Sequence, residues 1–281
     1  MLAPVVLYYL VFHYGPMYGA VIAFEDFNPV KGVFGSKWVG LVNFQDFFAS
    51  VYFVRLLVNT VAISVLDLVF GFPAPIILAL LLNELRWNPF KRLVQTVTYL
   101  PHFISVVVVV GMLFDFFARD GLVNALVGGE PIAFMQSADW FRQLFVGSGI
   151  WQQLGWGSIV YLAAIANIDP QLYDAAKVDG AGRFRLIRHV TLPGILPVIV
   201  ILLILRMGSL MTVGYEKIIL MYNPLTYETA DVISTYVFRR GILQADFSFS
   251  AAVGLFNSVV NFGLLVAANR ISRRLTEASL W

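Results

Sequence analysis

Four cations, Lys177, Arg183, Arg185 and Arg188, crowd into residues 174–193, the longest polar and charge-bearing stretch of the chain. Cations in so short a window can bind an anion, dock a partner protein or set the orientation of a membrane protein. A nucleotide-phosphate loop is excluded: no G-x-x-x-x-G-K-[ST] motif occurs, so nucleotide chemistry belongs to a partner and no cofactor is expected on this chain. Catalytic chemistry finds no seat either. Without cysteine there is no thiolate nucleophile, disulfide or thiolate metal site. His13, His102 and His189 lack metal-ligand spacing, and no paired carboxylates nominate an acid–base centre. The chain reads as a non-enzyme.

What must position these groups is a set of helices in lipid. Of the 281 residues 59% are hydrophobic and only 13% charged, with a mean hydropathy of +0.79. A soluble domain carries roughly a quarter charged residues, so for much of this chain the solvent is lipid. A net charge of +2 is too small to argue for nucleic acid. Apolar segments over 1–24, 56–82, 93–117, 143–168, 195–222 and 249–269 each approach the twenty or so residues that a crossing helix needs. The second contains Asp67. Its many Leu, Ile, Val and Phe residues, at about −0.3 to −0.6 kcal/mol each, outweigh one central carboxylate at about +2.5 to +3.5 kcal/mol. The expectation is an all-α integral membrane protein of six transmembrane helices in a single domain. No basic n-region or cleavage site marks a signal peptide, and the abrupt apolar start suggests that the natural N-terminus is longer.

Lys and Arg set the orientation. With a cytoplasmic N-terminus, short inner loops hold Arg86, Lys91, Arg92, the four cations of 174–193, Arg270, Arg273 and Arg274. The longer outer segments hold Lys31, Lys37, Arg55, Arg119, Arg142, Lys217, Arg239 and Arg240 more sparsely. The positive-inside rule then places both termini in the cytoplasm and residues 169–193 in an inner loop.

Polar groups within the spans are the pathway candidates. Arg206, in the middle of the 195–222 span, either pairs structurally with Asp67 or faces a pathway and meets sugar hydroxyl or carboxylate groups. Tyr215, Glu216 and Lys217, toward the outer end of that span, either greet substrate or snorkel to the interface. Trp151, Gln152, Gln153 and Tyr161 combine stacking rings with amide donors, although Trp151 also suits an interfacial anchor. Asn257 and Asn261 share a face at i, i+4, as helix-to-helix hydrogen bonders or ligand contacts. His102 is read as packing.

Within the loop, Asp169-Pro170 predicts a helix start, a carboxylate cap followed by proline at the first position. That helix should run to about Val178 and stop at Asp179-Gly180. A second short helix, about Arg183 to Val190, should end before Pro193, with Phe184, Ile187 and Val190 on its apolar side. A merely solvated, topology-setting loop is the competing reading, but Gly180-Ala181-Gly182 suits close approach by another backbone.

These residues resemble the signature loop of permease subunits of bacterial binding-protein-dependent ABC importers. Asp174, Ala175, Ala176, Asp179, Gly180, Ala181, Leu192, Pro193 and Pro197 fall on that signature in register. Ile187 and Val190 replace its usual phenylalanine and isoleucine, and Asp174 its glutamate, which puts a salt bridge of the usual length in doubt. Asn59-Thr60, Leu100-Pro101 and Gly121-Leu122-Val123-Asn124 resemble the carbohydrate importers. The stretch from Tyr14 to Gly19 and the ending Ser279-Leu280-Trp281 resemble the branch that handles oligosaccharides and polysaccharides, with an acidic cargo such as alginate among the candidates.

The resemblance implies the importer-permease fold in a bacterial inner membrane. It implies a second homologous permease, a pair of nucleotide-binding ATPase subunits carrying ATP and Mg, an extracytoplasmic solute-binding protein and a carbohydrate cargo. Residues 169–193 become a coupling helix seated on the ATPase. Leu172, Tyr173 and Phe184 would fill a groove there and Asp174 would meet an arginine, with Ala175, Ala176, Asp179, Gly180 and Ala181 shaping the elbow. The substrate pathway would draw on Asp67, Trp151, Gln153, Tyr161, Arg206, Tyr215, Glu216 and Asn257. An ion-coupled secondary transporter is the alternative. It predicts inverted repeats, which the sequence lacks, and broken helices around a midplane carboxylate, for which Asp67 is the candidate.

Overall fold

The computed structural model describes residues 2–275 and 279–280; Met1 and Trp281 lie outside them. Most of the described chain is helical, and one pair of two-residue antiparallel strands joins Glu25 to Trp38 and Asp26 to Lys37. Among the described residues, four helices are long and apolar enough to cross a membrane: Ala3–Phe24, Phe53–Glu84, Arg183–Met207 and Phe247–Arg274. One bent pair, Asn88–Phe103 with Val106–Phe116, folded by 103° at the break, is apolar enough to cross only when its two helices are taken together. The remaining expected span, 143–168, is carried by the helix Ala138–Ala166, whose 29 residues reach about 43 Å. Its glutamines and charged first turns keep it below the apolarity of the others.

Proline placement explains much of the local shape. Wide π-turns over Leu10–Tyr14, Asp67–Gly71 and Ile187–Thr191 each end two residues before Pro16, Pro73 and Pro193. A proline has no N–H and its ring collides with the carbonyl four residues back. Widening one turn removes the collision and keeps the helix continuous. The expected stop before Pro193 is therefore corrected: the short basic helix runs on through the π-turn into the span, as Arg183–Met207.

Two expected spans are broken. In the 93–117 segment the helix ends at Phe103, Ile104 turns extended, and the Ser105 hydroxyl caps the next helix by accepting from the Val108 N–H at 3.4 Å. The 195–222 segment is not one helix either. It stops at Met207, runs irregularly over 208–214 and resumes as the short helix Tyr215–Met221. Gly208, Ser209, Thr212 and Gly214 in this stretch are poor helix formers. Arg206 thus sits at a helix end rather than in mid-helix, and Tyr215, Glu216 and Lys217 belong to a separate helix.

The Ala138–Ala166 helix is the central post. It packs on Phe53–Glu84, on Asn88–Phe103 and on Arg183–Met207. Small residues permit the close crossings: Gly155 lies against the Thr98 carbonyl and Gly157 against Pro75, leaving no room for a side chain. Three apolar clusters seal the bundle. One gathers Ile63, Val109, Leu113, Leu144 and Ile218. The second joins Phe47, Leu56, Met211, Ile233 and Val253, and the third Ile76, Ala79, Tyr161, Ile165 and Ile195. The Ala3–Phe24 helix packs on the last helix chiefly through its Tyr18–Phe24 end, while Ala3–Met17 has no buried residue.

Opposite the 169–193 end, the buried carboxylate of Asp231 ties the elements together. It accepts from Thr235 Oγ1 at 2.8 Å and Arg239 at 2.7 Å, with Arg55 3.6 Å away. Asn59 Nδ2 donates to the Glu228 and Asp231 carbonyls, and Arg142 donates to Asn59 Oδ1 at 2.7 Å. Burial works against the Arg239 charge, but the hydrogen bond and charge of Asp231 outweigh it and hold that guanidinium above its ordinary value. Asp231→Ala is expected to cost about 3 kcal/mol, because two cations lose a fully buried partner. Thermal unfolding in detergent would register this as a clear fall in Tm, whereas a fall of a degree or less would show the cluster to be well solvated.

Candidate functional site

At mid-depth the broken chain opens a cavity of about 510 Å³ between Phe53–Glu84, Ala138–Ala166 and the 206–217 stretch. Asp67, Gln152, Gln153, Arg206, Ser209, Thr212 and Lys217 give it polar character; Ile63, Phe72, Phe145 and Ile150 supply apolar wall. Irregular backbone at this depth is tolerable where it is buried in protein or lines a cavity, and 208–214 lines this one through Ser209, Leu210, Thr212, Val213 and Gly214. Its Met211 N–H donates to Asn261 Oδ1 at 2.9 Å, Asn261 Nδ2 donates to Thr212 Oγ1, and the hydroxyls of Ser64 and Ser234 donate to the Leu210 and Val213 carbonyls. Gln152 Nε2 reaches the other break, donating to the Ile104 carbonyl at 2.8 Å. The Ile104 break is thus held from the central post, and the 208–214 break by Ser64, Ser234 and Asn261 from other helices.

The charges of the chamber are unequal in number. Arg206 and Asp67 form an ion pair across it. Lys217, only 9% exposed, donates to the Phe145 carbonyl at 2.9 Å and lies 4.8 Å from the Phe145 ring centroid. No carboxylate lies within ion-pair distance of it among the described residues. A buried cation without a counter-charge is costly, and it makes the chamber receptive to an anion.

Of the expected pathway residues, the structure brings Asp67, Gln153 and Arg206 together in this chamber. Gln153 is also engaged by His102 Nδ1 at 3.0 Å, while His102 stacks on Trp156 with ring centroids 4.4 Å apart. The rest lie elsewhere. Trp151 lines an apolar groove with Met112 and Phe116. Tyr161 is packed into the Ile76–Ile195 cluster. Tyr215 stacks on Phe238 and shares a separate hollow with Asn257, and Glu216 is exposed outside the chamber. Lys217, for which substrate contact and interface snorkelling were both open, faces the chamber; an amphipathic count on the short 215–221 helix would have separated it from Glu216.

At the other functional locus, Asp169 caps Pro170–Val178 by accepting from the Gln171 N–H at 2.9 Å, and Gly180 turns the chain with φ +76°. The elbow is pinned from within: Tyr173 Oη lies 3.0 Å from Thr191 Oγ1, and Arg183 reaches Glu84 at 4.0 Å. Asp174 pairs with Lys177 at 3.0 Å on the surface, an interaction worth at most about 1 kcal/mol and readily exchanged. Leu172, Val178 and Phe184 stand 55%, 88% and 76% exposed beside these charges. Ala175, Asp179 and Gly180 are exposed too, with Ala176 and Ala181 half-buried.

Broken spans around a polar mid-depth chamber, with a rigid apolar-and-charged elbow at one end of the bundle, define a multi-pass membrane transport component. The chain belongs to the binding-protein-dependent transport system inner membrane component family, whose model matches residues 71–277. It is 48% identical to Protein LplB of Bacillus subtilis (strain 168), over 100% of this chain and 90% of that protein. It is 46% identical to the polygalacturonan/rhamnogalacturonan transport system permease protein YteP of the same strain, over 100% of this chain and 89% of that one. Its fold matches a chain in the crystal structure of a bacterial alginate ABC transporter in complex with alginate pentasaccharide-bound periplasmic protein. There the TM-score is 0.92 and the identity 43%, covering 100% of this chain and 95% of that chain.

Proposed function

We propose that this chain is the permease subunit of an ATP-driven importer and forms half of the translocation pathway for an acidic oligosaccharide or polysaccharide by alternating access. The observation that carries the cargo reading is the chamber's charge: Arg206 and Lys217 against Asp67 alone. Uronate carboxylates fit that excess, and guanidinium groups recognise planar carboxylates well. The polygalacturonan and alginate systems named for the similar proteins support the same cargo class.

The chain sits in a bacterial plasma membrane with both termini in the cytoplasm, as its distribution of Lys and Arg favours. A second homologous permease completes the pore, and an extracytoplasmic solute-binding protein delivers cargo. Residues 169–193 couple the pore to a pair of ATPase subunits that hold ATP and Mg. Exposed Leu172 and Phe184 beside Asp174 suit a docking groove. ATP drives the cycle by binding one arrangement of the assembly better than another. Broken helices around Asp67 also match an ion-coupled carrier, but membership of a binding-protein-dependent family weighs against that alternative.

Purification in detergent should recover an ATPase pair and a second permease with this chain. Proteoliposomes of the assembly should take up galacturonate oligomers in preference to their neutral methyl esters. Recovery of the chain alone, with uptake driven by an ion gradient, would replace the proposal with the ion-coupled reading.

A further inference from the structure

Asp67 stands in an unusual seat. It begins the π-turn Asp67–Gly71, in which the Phe72 N–H bonds the Asp67 carbonyl at 3.0 Å. A Cβ at Gly71 would lie 2.5 Å from Asp67 Oδ1, so the carboxylate rests where only glycine leaves room. From that seat it meets Arg206. The pair is not sealed away: the Arg206 side chain is 47% exposed and that of Asp67 26%, and both face the chamber. A strut between two helices gains nothing from such access. A guanidinium with five donors has capacity for another carboxylate in the same plane, and the chamber already carries the excess charge of Lys217.

We propose that Asp67 is a displaceable counter-ion: it neutralises Arg206 in the empty chamber and yields the guanidinium to a carboxylate of the entering cargo. This rests on the acidic-cargo reading and extends it to a cycle of exchange. An arriving carboxylate takes the place of Asp67 on Arg206, and Lys217 balances the second negative charge. When the chamber turns to the other side, Asp67 returns to Arg206 and helps to expel the cargo. Asp67 therefore sets both the threshold for entry and the ease of release, and it discriminates against neutral sugars because they cannot replace it.

The test uses the complete transporter in proteoliposomes, comparing uptake of a galacturonate tetramer with its methyl ester. For Asp67→Asn, KM for the charged tetramer should fall about tenfold, since no resident anion competes, and kcat should fall as release slows. Gly71→Ala keeps both charges but levers Asp67 off its seat, and should shift KM in the same direction, which covers a failure of Asp67→Asn to assemble. Arg206→Gln should raise KM about tenfold for the charged tetramer alone, and the double variant should follow it. Unchanged or raised KM in both Asp67→Asn and Gly71→Ala would overturn the exchange, as would recovery of wild-type kinetics in the double variant, the mark of a strut. Equal wild-type uptake of tetramer and ester would remove the acidic-cargo reading along with it. A wild-type preference with insensitive variants removes the exchange only.

Discussion

Gly180→Pro is expected to leave the proposed transporter assembled and able to hydrolyse ATP but to cut uptake by about a hundredfold, a loss of coupling at the upper end of the usual range. The reason is local. Gly180 holds φ +76° and its N–H donates to the Lys177 carbonyl at 3.0 Å. Proline fixes φ near −65° and has no N–H, so the elbow between Pro170–Val178 and Arg183–Met207 must reopen. Nothing lies within 4 Å of a side chain added at Gly180, so the spans keep their packing and Tm should hold. Gly180→Ala is the graded control, with strain of about 1–2 kcal/mol in the left-handed region and partial uncoupling. Parallel ATPase and uptake measurements decide the matter: full uptake in Gly180→Pro would show that the elbow does not transmit the nucleotide-driven motion.

The second large effect separates function from stability. Lys217→Met should lower uptake of charged oligomers more than tenfold while changing stability by no more than about 1 kcal/mol in either direction. Removing a buried, uncompensated ammonium relieves desolvation, which offsets the lost hydrogen bond to the Phe145 carbonyl and the contact with its ring. A lysine that served packing alone would show the opposite: a marked fall in Tm, with charged and neutral cargo affected alike. Uptake of both oligomers and thermal melts of the same preparation distinguish the two.

The sequence made the local punctuation legible. Asp169-Pro170 started a helix and Gly180 ended the turn as expected, because caps and left-handed glycines act through near neighbours. Pro193 misled for an equally local reason: proline ends a helix unless a widened turn precedes it, and hydropathy does not record a π-turn. The break at 208–214 was hidden because apolar residues on both sides average to one long span. Its signals, Gly208-Ser209 and Gly214, are weak unless one asks which side chains satisfy the freed backbone. Those partners, Ser64, Ser234 and Asn261, lie far along the chain. The Asp231 cluster was invisible for the same reason, since Asn59 and Asp231 meet across 172 residues. Among the pathway candidates, Asp67 and Arg206 stood out because a charge in lipid demands an explanation, and they line one chamber. Tyr161 packs into the Ile76–Ile195 cluster instead, since a tyrosine in a span serves packing as readily as binding.

The stretch 208–214 is both wall and clasp. The amide of Met211 is held by Asn261, and the carbonyls of Leu210 and Val213 by Ser64 and Ser234, so three separate helices grip one side of the chamber. Any change in the chamber's shape must therefore release or re-form tethers to distant parts of the bundle in the same event. Solvent deuterium would report this directly, with the Met211 amide exchanging faster during turnover than at rest.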